Sequence, residues 1–127
     1  MNTEQKHFIK EILVLLKFYN LEQRLALLIA CQFALESDYG TSVLAKANNN
    51  YCGMKVPHKR LSTAINYKSN EKWARYTSKW TCVHDFILWL MYNNVKNTEN
   101  YFEKLKSYCP EKDYIKKILK IEENYVN

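Results

Sequence analysis

The chain has 127 residues and a mass of 15.2 kDa, room for one domain of ordinary size, and this reading takes residues 1–127 as a single unit. Its 47% hydrophobic and 25% charged residues exclude a disordered tail, and two Gly and two Pro exclude collagen-like or Gly/Ser-linker architectures and argue against a turn-rich β-sandwich. Nineteen Lys and Arg against 13 Asp and Glu give a net charge of +6, which favours an anionic partner such as nucleic acid, an acidic membrane or a cell wall.

In chain order, the spacing of Ile9, Ile12, Leu13 and Leu16 predicts a first helix over 4–18, with Thr3 as its N-cap. Asn20-Leu21-Glu22-Gln23 has the form of a capping box, with Asn20 as cap of a second helix that reaches about Glu36. From Leu25 to Leu35 that helix is apolar all round except at Gln32, which predicts a buried central helix. A short helix fits 42–47, capped by Thr41, and Asn48-Asn49-Asn50 then breaks helical order. Over 61–76 the period changes: Thr63, Ile65 and Tyr67 alternate, and Lys68-Ser69-Asn70-Glu71 can turn, which predicts a small two-stranded hairpin. Ser78 caps a fourth helix to about Tyr92, with Trp80, Val83, Ile87, Leu90 and Met91 on one face, and core packing is the reading for Trp80 and Trp89. A fifth helix fits 99–107, and Pro110 is placed to open the last one, where Ile115, Ile118 and Leu119 form the stripe. The fold class expected is α+β, mainly α: helices around one central helix, with a small β-hairpin lobe.

No apolar run approaches the ~18–20 residues of a membrane span, so no membrane insertion is expected. Lys10 and Glu11 interrupt the only candidate signal-peptide core, so the N-terminus does not read as one. Cys31, Cys52, Cys82 and Cys109 allow three disulfide pairings, and spacing selects none. No CxxC pair is present, and the Cys/His spacings are poor for zinc, so no metal or cofactor is expected. Cys31 and Cys82 read as small buried apolar residues.

The most informative residue is Glu36. It continues the stripe of Leu25, Leu28, Ile29 and Gln32, so an apolar helix delivers a carboxyl group at its end. Burial and the carbonyls of the helix C-terminus both disfavour its charged form. A carboxylic acid kept protonated near neutral pH suits general acid catalysis, for example at a glycosidic oxygen. Asp38 is a second acid where helix electrostatics disfavour one. The plainer reading of Glu36 is a solvated residue in a fraying last turn.

The segment Ala34-Leu35-Glu36-Ser37-Asp38-Tyr39-Gly40-Thr41-Ser42-Val43-Leu44-Ala45-Lys46, followed by Asn49-Asn50-Tyr51-Cys52-Gly53-Met54-Lys55, resembles the signature of the glucosaminidase domains of glycoside hydrolase family 73. Those domains occur in autolysins and flagellar peptidoglycan hydrolases, with a pattern near ALESGWGxSxLA and then NNLFGIK. Trp73-Ala74-Arg75-Tyr76-Thr77-Ser78 is similar to the family's FRxYxS, and 108–123 is similar to its closing segment, GYATDPxYxxKILxIIE. The resemblance implies a lysozyme-like fold. It also implies hydrolysis of the β-1,4 bond between N-acetylglucosamine and N-acetylmuramic acid in peptidoglycan. Glu36 falls on the family's catalytic glutamate, the general acid.

The other expected site residues follow from that resemblance. Tyr76 falls on the family tyrosine expected to face the cleft and orient water or the acetamido group; otherwise it is a core-edge tyrosine. Glu71, the only carboxylate in the predicted hairpin, is the candidate second acid; otherwise it is an exposed turn residue. Tyr39, Tyr51 and Trp73 are candidate ring walls for sugar, and Asn49 and Asn50 shape the groove or simply form a turn. Asp38-Tyr39 stands where the family has Gly-Trp. An inverting enzyme needs its base ~6.5–9.5 Å from the acid and a retaining one ~5–5.5 Å, and without a second carboxylate the 2-acetamido group substitutes.

The alternatives are a muramidase or lytic transglycosylase of the same superfamily, a catalytically degenerate wall-binding domain, and a nucleic-acid binder. No GLMQ-like segment of the transglycosylases is present. The C-terminal lysines alternate with Glu103, Glu111, Glu122 and Glu123, which reads as a solvated helix face rather than a nucleic-acid surface. The protein is expected to act as a monomer on glycan strands of the cell wall, in the periplasm, outside the cell or delivered by a phage.

Overall fold

The computed structural model describes residues 1–109, 111 and 113–127. Among them are six helices: α1 (Thr3–Leu16), α2 (Gln23–Ser37), α3 (Val43–Asn48), α4 (Lys79–Tyr92), α5 (Thr98–Tyr108) and α6 (Tyr114–Val126). The architecture is mainly α, and no described helix is long and apolar enough to cross a membrane.

Helix α2 is the centre, as its apolar run predicts. Leu25, Leu28, Ile29, Ala30, Cys31, Gln32, Phe33 and Ala34 are all buried. It packs on α1 and α6 and touches α5, while α1 also meets α4. Gln32, the interruption in the run, accepts a hydrogen bond from the Tyr101 hydroxyl at 2.6 Å inside the core. Cys31 and Cys82 are fully buried free thiols, as expected from their apolar neighbours.

Several helix starts differ from expectation by a residue or more. The cap of α1 is Asn2 rather than Thr3, because Asn2 and Gln5 exchange side-chain and backbone bonds in a capping box. The cap of α2 is Glu22 rather than Asn20, and its side chain makes no capping bond. Glu22 instead accepts from the Thr98 backbone N–H at 3.2 Å and from the Thr98 hydroxyl, so it ties α2 to the start of α5. Ser42, not Thr41, caps α3, and Ser78 caps α4 as predicted. Pro110, the expected opening of the last helix, lies outside the described residues. Trp80 is 52% exposed rather than in the core. It stands in the first turn of α4, beyond the core, and its ring meets Phe18 at 6.4 Å. Met91, expected on the same inward face, is also exposed.

The predicted hairpin over 61–76 is replaced by irregular chain. Its alternation points the other way, with Ala64 and Asn66 buried and Ile65 exposed. Asn66 also takes the place of a backbone ladder. Its side-chain amide donates to the Trp73 carbonyl at 3.0 Å and its side-chain oxygen accepts from the Arg75 N–H at 2.9 Å. Only Ile65 N–H to Arg75 O, at 2.8 Å, pairs the two limbs directly near that point. Among the described residues one isolated bridge joins Lys55 to Trp73, antiparallel, flanked by Val56 N–H to Lys72 O and Ala74 N–H to Met54 O at 3.0 Å each. The segment after Gly53, rather than 61–67, is therefore the partner of 72–74.

Candidate active site

The end of α2 is shaped by Ser37. Its hydroxyl donates to the Phe33 carbonyl at 2.7 Å and accepts from the Gly40 N–H at 2.8 Å. Asp38, Tyr39 and Gly40 follow with φ of 49°, 56° and 83°, three successive left-handed residues that stop the helix. A side chain at Gly40 would strike the Phe8 ring, with its Cβ 2.8 Å away, so that turn also needs glycine for space. Glu36 thus sits in the last turn of a fixed helix, half-buried at the edge of the core.

Two groups frame its carboxyl. The Tyr114 hydroxyl, at the start of α6, donates to Glu36 Oε1 at 2.7 Å. Gly53 lies against the other oxygen: a Cβ built there would stand 2.5 Å from Glu36 Oε2. Gly53 also has φ of 69°, so both conformation and space require glycine. Oε2 makes no hydrogen bond among the described residues.

Burial pushes the Glu36 carboxyl above the usual carboxylate range; the Tyr114 hydrogen bond pulls it back, and the charge of Glu111 pushes it further up. Burial likewise raises the Tyr114 phenol, so it stays a neutral donor at any working pH. Tyr108 completes the wall. Its ring stacks on Tyr114 at 6.4 Å, meets Trp89 edge-on at 5.1 Å, and its hydroxyl donates to the Cys52 carbonyl at 2.9 Å. The segment holding Gly53 is also pinned by Asn50, whose side chain donates to the Met54 and Ala74 carbonyls at 2.9 Å each and accepts from the Met54 N–H at 3.1 Å. The Cys52 and Cys82 thiols, both buried, lie 3.7 Å apart behind it.

The other expected site residues stand in different settings. Tyr76 is 2% exposed and does not face a cleft. Its hydroxyl donates to Asp85 at 2.5 Å, and Asp85, fully buried, is held by Arg60 at 2.8 and 3.2 Å. A phenol is the neutral donor this buried carboxylate needs, so Tyr76 belongs to an internal network. Glu71 forms an exposed pair with Arg75 at 3.1 and 3.2 Å and makes no hydrogen bond to Glu36. Asn50 is buried with its amide committed to backbone, which removes it from direct contact with a ligand. Asn49 caps α3 in the left-handed region and donates to the Tyr76 carbonyl at 3.0 Å, a turn role.

The ring-wall candidates are half-buried. Tyr39 belongs to the left-handed turn after Glu36, and Tyr51 packs 6.1 Å from Phe8 with the Lys79 ammonium 5.0 Å from its ring. Trp73 carries the bridge to Lys55, with the Lys72 ammonium 4.9 Å from its ring. Tyr114, Tyr108 and Gly53 were given no role from sequence, although all three stand in the motif segments. A larger cavity of about 650 Å³ lies elsewhere, lined by Leu16, Leu21, Arg24, Leu27 and Tyr125. Arg24 is twelve residues before Glu36, about 18 Å along the helix axis, so that apolar cavity is remote from the carboxyl.

A half-buried acid at a helix end, with a protonated form favoured by burial, is suited to proton donation. The glucosaminidase family profile, described as mannosyl-glycoprotein endo-β-N-acetylglucosaminidase, matches residues 15–127. The chain belongs to the glucosaminidase family. Two solved structures share the fold of this glucosaminidase domain. The catalytic domain of the autolysin Auto from Listeria monocytogenes is 24% identical, with a TM-score of 0.64 over 98% of this chain and 86% of that one. A chain from a type VI secretion system effector-immunity complex of Pseudomonas protegens is 15% identical, with a TM-score of 0.65 over 99% of this chain and 96% of that one. A search of curated proteins finds no match.

Proposed function

We propose that the chain is a peptidoglycan hydrolase: one catalytic unit over 1–127, acting as a monomer. It is an endo-β-N-acetylglucosaminidase that cleaves the β-1,4 bond between N-acetylglucosamine and N-acetylmuramic acid, with Glu36 as general acid. The observation that carries this reading is the Glu36 carboxyl itself, half-buried, raised by burial, with Tyr114 on Oε1 and the Gly53 backbone beside Oε2. The family membership and the autolysin neighbour support the substrate class. Its place of work is the cell wall, reached in the periplasm, outside the cell or by phage delivery.

With Oε1 accepting from Tyr114, Oε2 is the oxygen left to carry the acid proton. In the reaction Oε2–H protonates the glycosidic oxygen as the C1–O bond breaks, leaving Glu36 as a carboxylate that Tyr114 continues to stabilise. The neutral phenol is a fixed donor to the charge that develops on Glu36, so it needs no reorganisation during the step.

The second participant in this reading is the substrate's own 2-acetamido oxygen, which attacks C1 as the leaving group departs; water then opens the ring so formed, losing its proton to Glu36. The exposed pairing of Glu71 with Arg75 supports this over Glu71 as base. Tyr76 and Asn50 act by positioning, through Asp85 and the Gly53 segment. Tyr39, Tyr51 and Trp73 remain the ring surfaces offered to sugar. The test is turnover of purified peptidoglycan by paired variants. Glu36→Gln is expected to lose roughly 10²–10⁴-fold in rate, the usual worth of a general acid, while Glu71→Gln keeps most activity. Equal and complete loss in both variants would restore Glu71 as a catalytic carboxylate.

A further inference from the structure

Beside the Glu36 site is a second cavity of about 360 Å³, lined by Lys55, His58, Lys59, Arg60, Trp89 and Tyr92 among others. Two connections tie its walls to the site. Met54, which also lines it, directly follows Gly53, and Lys55 is two residues from Gly53, so their α-carbons stand at most about 7.6 Å apart. On the other wall, Trp89 meets Tyr108, Tyr108 stacks on Tyr114, and Tyr114 bonds Glu36.

The cavity is held by a fixed segment of chain. Met54 O and Val56 N–H pair with Ala74 and Lys72 at 3.0 Å each, and Pro57 O accepts from the Lys68 N–H at 3.2 Å. Arg60 is locked to Asp85, so its charge is already answered inside the protein. The buried Val56, Pro57 and Arg60 leave Lys55, His58 and Lys59 facing out. None of these three is in an ion pair among the described residues, whereas Lys79, Lys106, Lys117 and Lys120 each have a glutamate partner. Lys55 and Lys59, two of several surface lysines outside the ion pairs, thus border a cavity whose other side is the half-buried Trp89 ring and the exposed Tyr92 ring.

We propose that this cavity is a subsite for a carboxylate carried by the muramic-acid side of the substrate, with Lys55 and Lys59 meeting the anion and Trp89 and Tyr92 packing on the apolar groups beside it. This rests on the reading of the substrate as peptidoglycan. In that polymer the muramic lactyl group or the peptide attached to it supplies carboxylates within a few bonds of the glycan. A neutral polymer of N-acetylglucosamine supplies none.

The test measures binding by calorimetry to the Glu36→Gln protein, so that no turnover intervenes. Three probes of equal sugar length are compared at low ionic strength: a neutral chito-oligosaccharide, a muramic-acid oligosaccharide with its peptides, and the same oligosaccharide with peptides removed to expose lactyl carboxylates. The parent is expected to prefer an anionic probe over the neutral one. Lys55→Gln/Lys59→Gln is expected to reduce that preference roughly fivefold or more, the range open to two partly desolvated charge contacts. Lys59→Glu alone, on an exposed residue, acts in the same direction if the double variant folds poorly. Preference for only the peptide-bearing probe assigns the carboxylate to the peptide, preference for only the peptide-free probe assigns it to the lactyl group, and preference for both shows that a carboxylate from either source reaches the lysines. A parent without preference, or a preference unchanged by the lysine substitutions, overturns the subsite. Hydrolysis of wall strands by the wild-type chain is scored in parallel: no hydrolysis with the preference intact overturns the hydrolase reading and upholds the subsite.

Discussion

At the scale of single residues, Tyr114 and Glu111 act on Glu36 with opposite sign. The Tyr114 hydrogen bond favours the charged carboxylate, and the Glu111 charge disfavours it. A general acid works while protonated, so activity falls as pH rises through its pKa. Tyr114→Phe removes the stabilising bond, raises the Glu36 pKa and should move the alkaline limb of the kcat/KM profile to higher pH. Glu111→Gln removes a repelling charge and should move the same limb to lower pH. Shifts in one common direction, or none, would mean that another group sets the limb. Gly53→Ala is a steric prediction at the same carboxyl: with a Cβ 2.5 Å from Oε2 and φ at 69°, it should cost activity by at least tenfold, about 1.4 kcal/mol. A fully active Gly53→Ala variant would show that Oε2 has room to move without consequence. Of these residues, Glu36 was legible in the sequence because a carboxylate on an apolar helical stripe is anomalous by itself. Tyr114 was not: ten tyrosines in one chain carry no mark of which one bends back to a residue 78 positions away.

Elements bring those residues together, and here periodicity reads well where a helix has one apolar stripe. Helix α2 is central because its buried residues surround it, and α4 begins at Ser78 because the capping pair with Thr81 is local in sequence. Reading fails where a distant partner decides. Asn20 suits a cap by residue type, and the contact of Glu22 with Thr98 is invisible locally. The same holds for the 61–76 segment, where alternation suggests strands but the Asn66 side chain takes up the ladder positions. What holds that segment to α4 is the buried Tyr76–Asp85–Arg60 network. Tyr76→Phe should lower stability by about 1–3 kcal/mol, the cost of leaving a buried acceptor short of a donor. Arg60→Met should lower it by about 3–5 kcal/mol, because it strands the Asp85 charge. Denaturant midpoints check both, and equal, negligible losses would mean the network is not a structural tie.

For the whole molecule, one hydrophobic cluster joins all the helices except α3, so the α2 end, the Gly53 segment and the start of α6 are positioned by a shared core. Glu36 therefore depends on three segments far apart in sequence. The motif blocks carry residues that meet there or brace it, Gly53, Ala74, Tyr108 and Tyr114 among them, yet of the groups at the carboxyl only Glu36 itself was singled out from sequence. The net charge of +6 adds attraction for an anionic wall, but much of the C-terminal positive charge is spent in exposed pairs with neighbouring glutamates and an aspartate. Everything in the proposed reaction turns on Glu36 as its acid. The most direct measurement is mass spectrometry of a purified peptidoglycan digest reduced with borohydride, using wild type and Glu36→Gln. New reduced N-acetylglucosamine ends that vanish in the variant are the predicted result. Reduced muramic or anhydro-muramic ends would assign a different bond or reaction, and N-acetylglucosamine ends that persist in Glu36→Gln would contradict the role of Glu36.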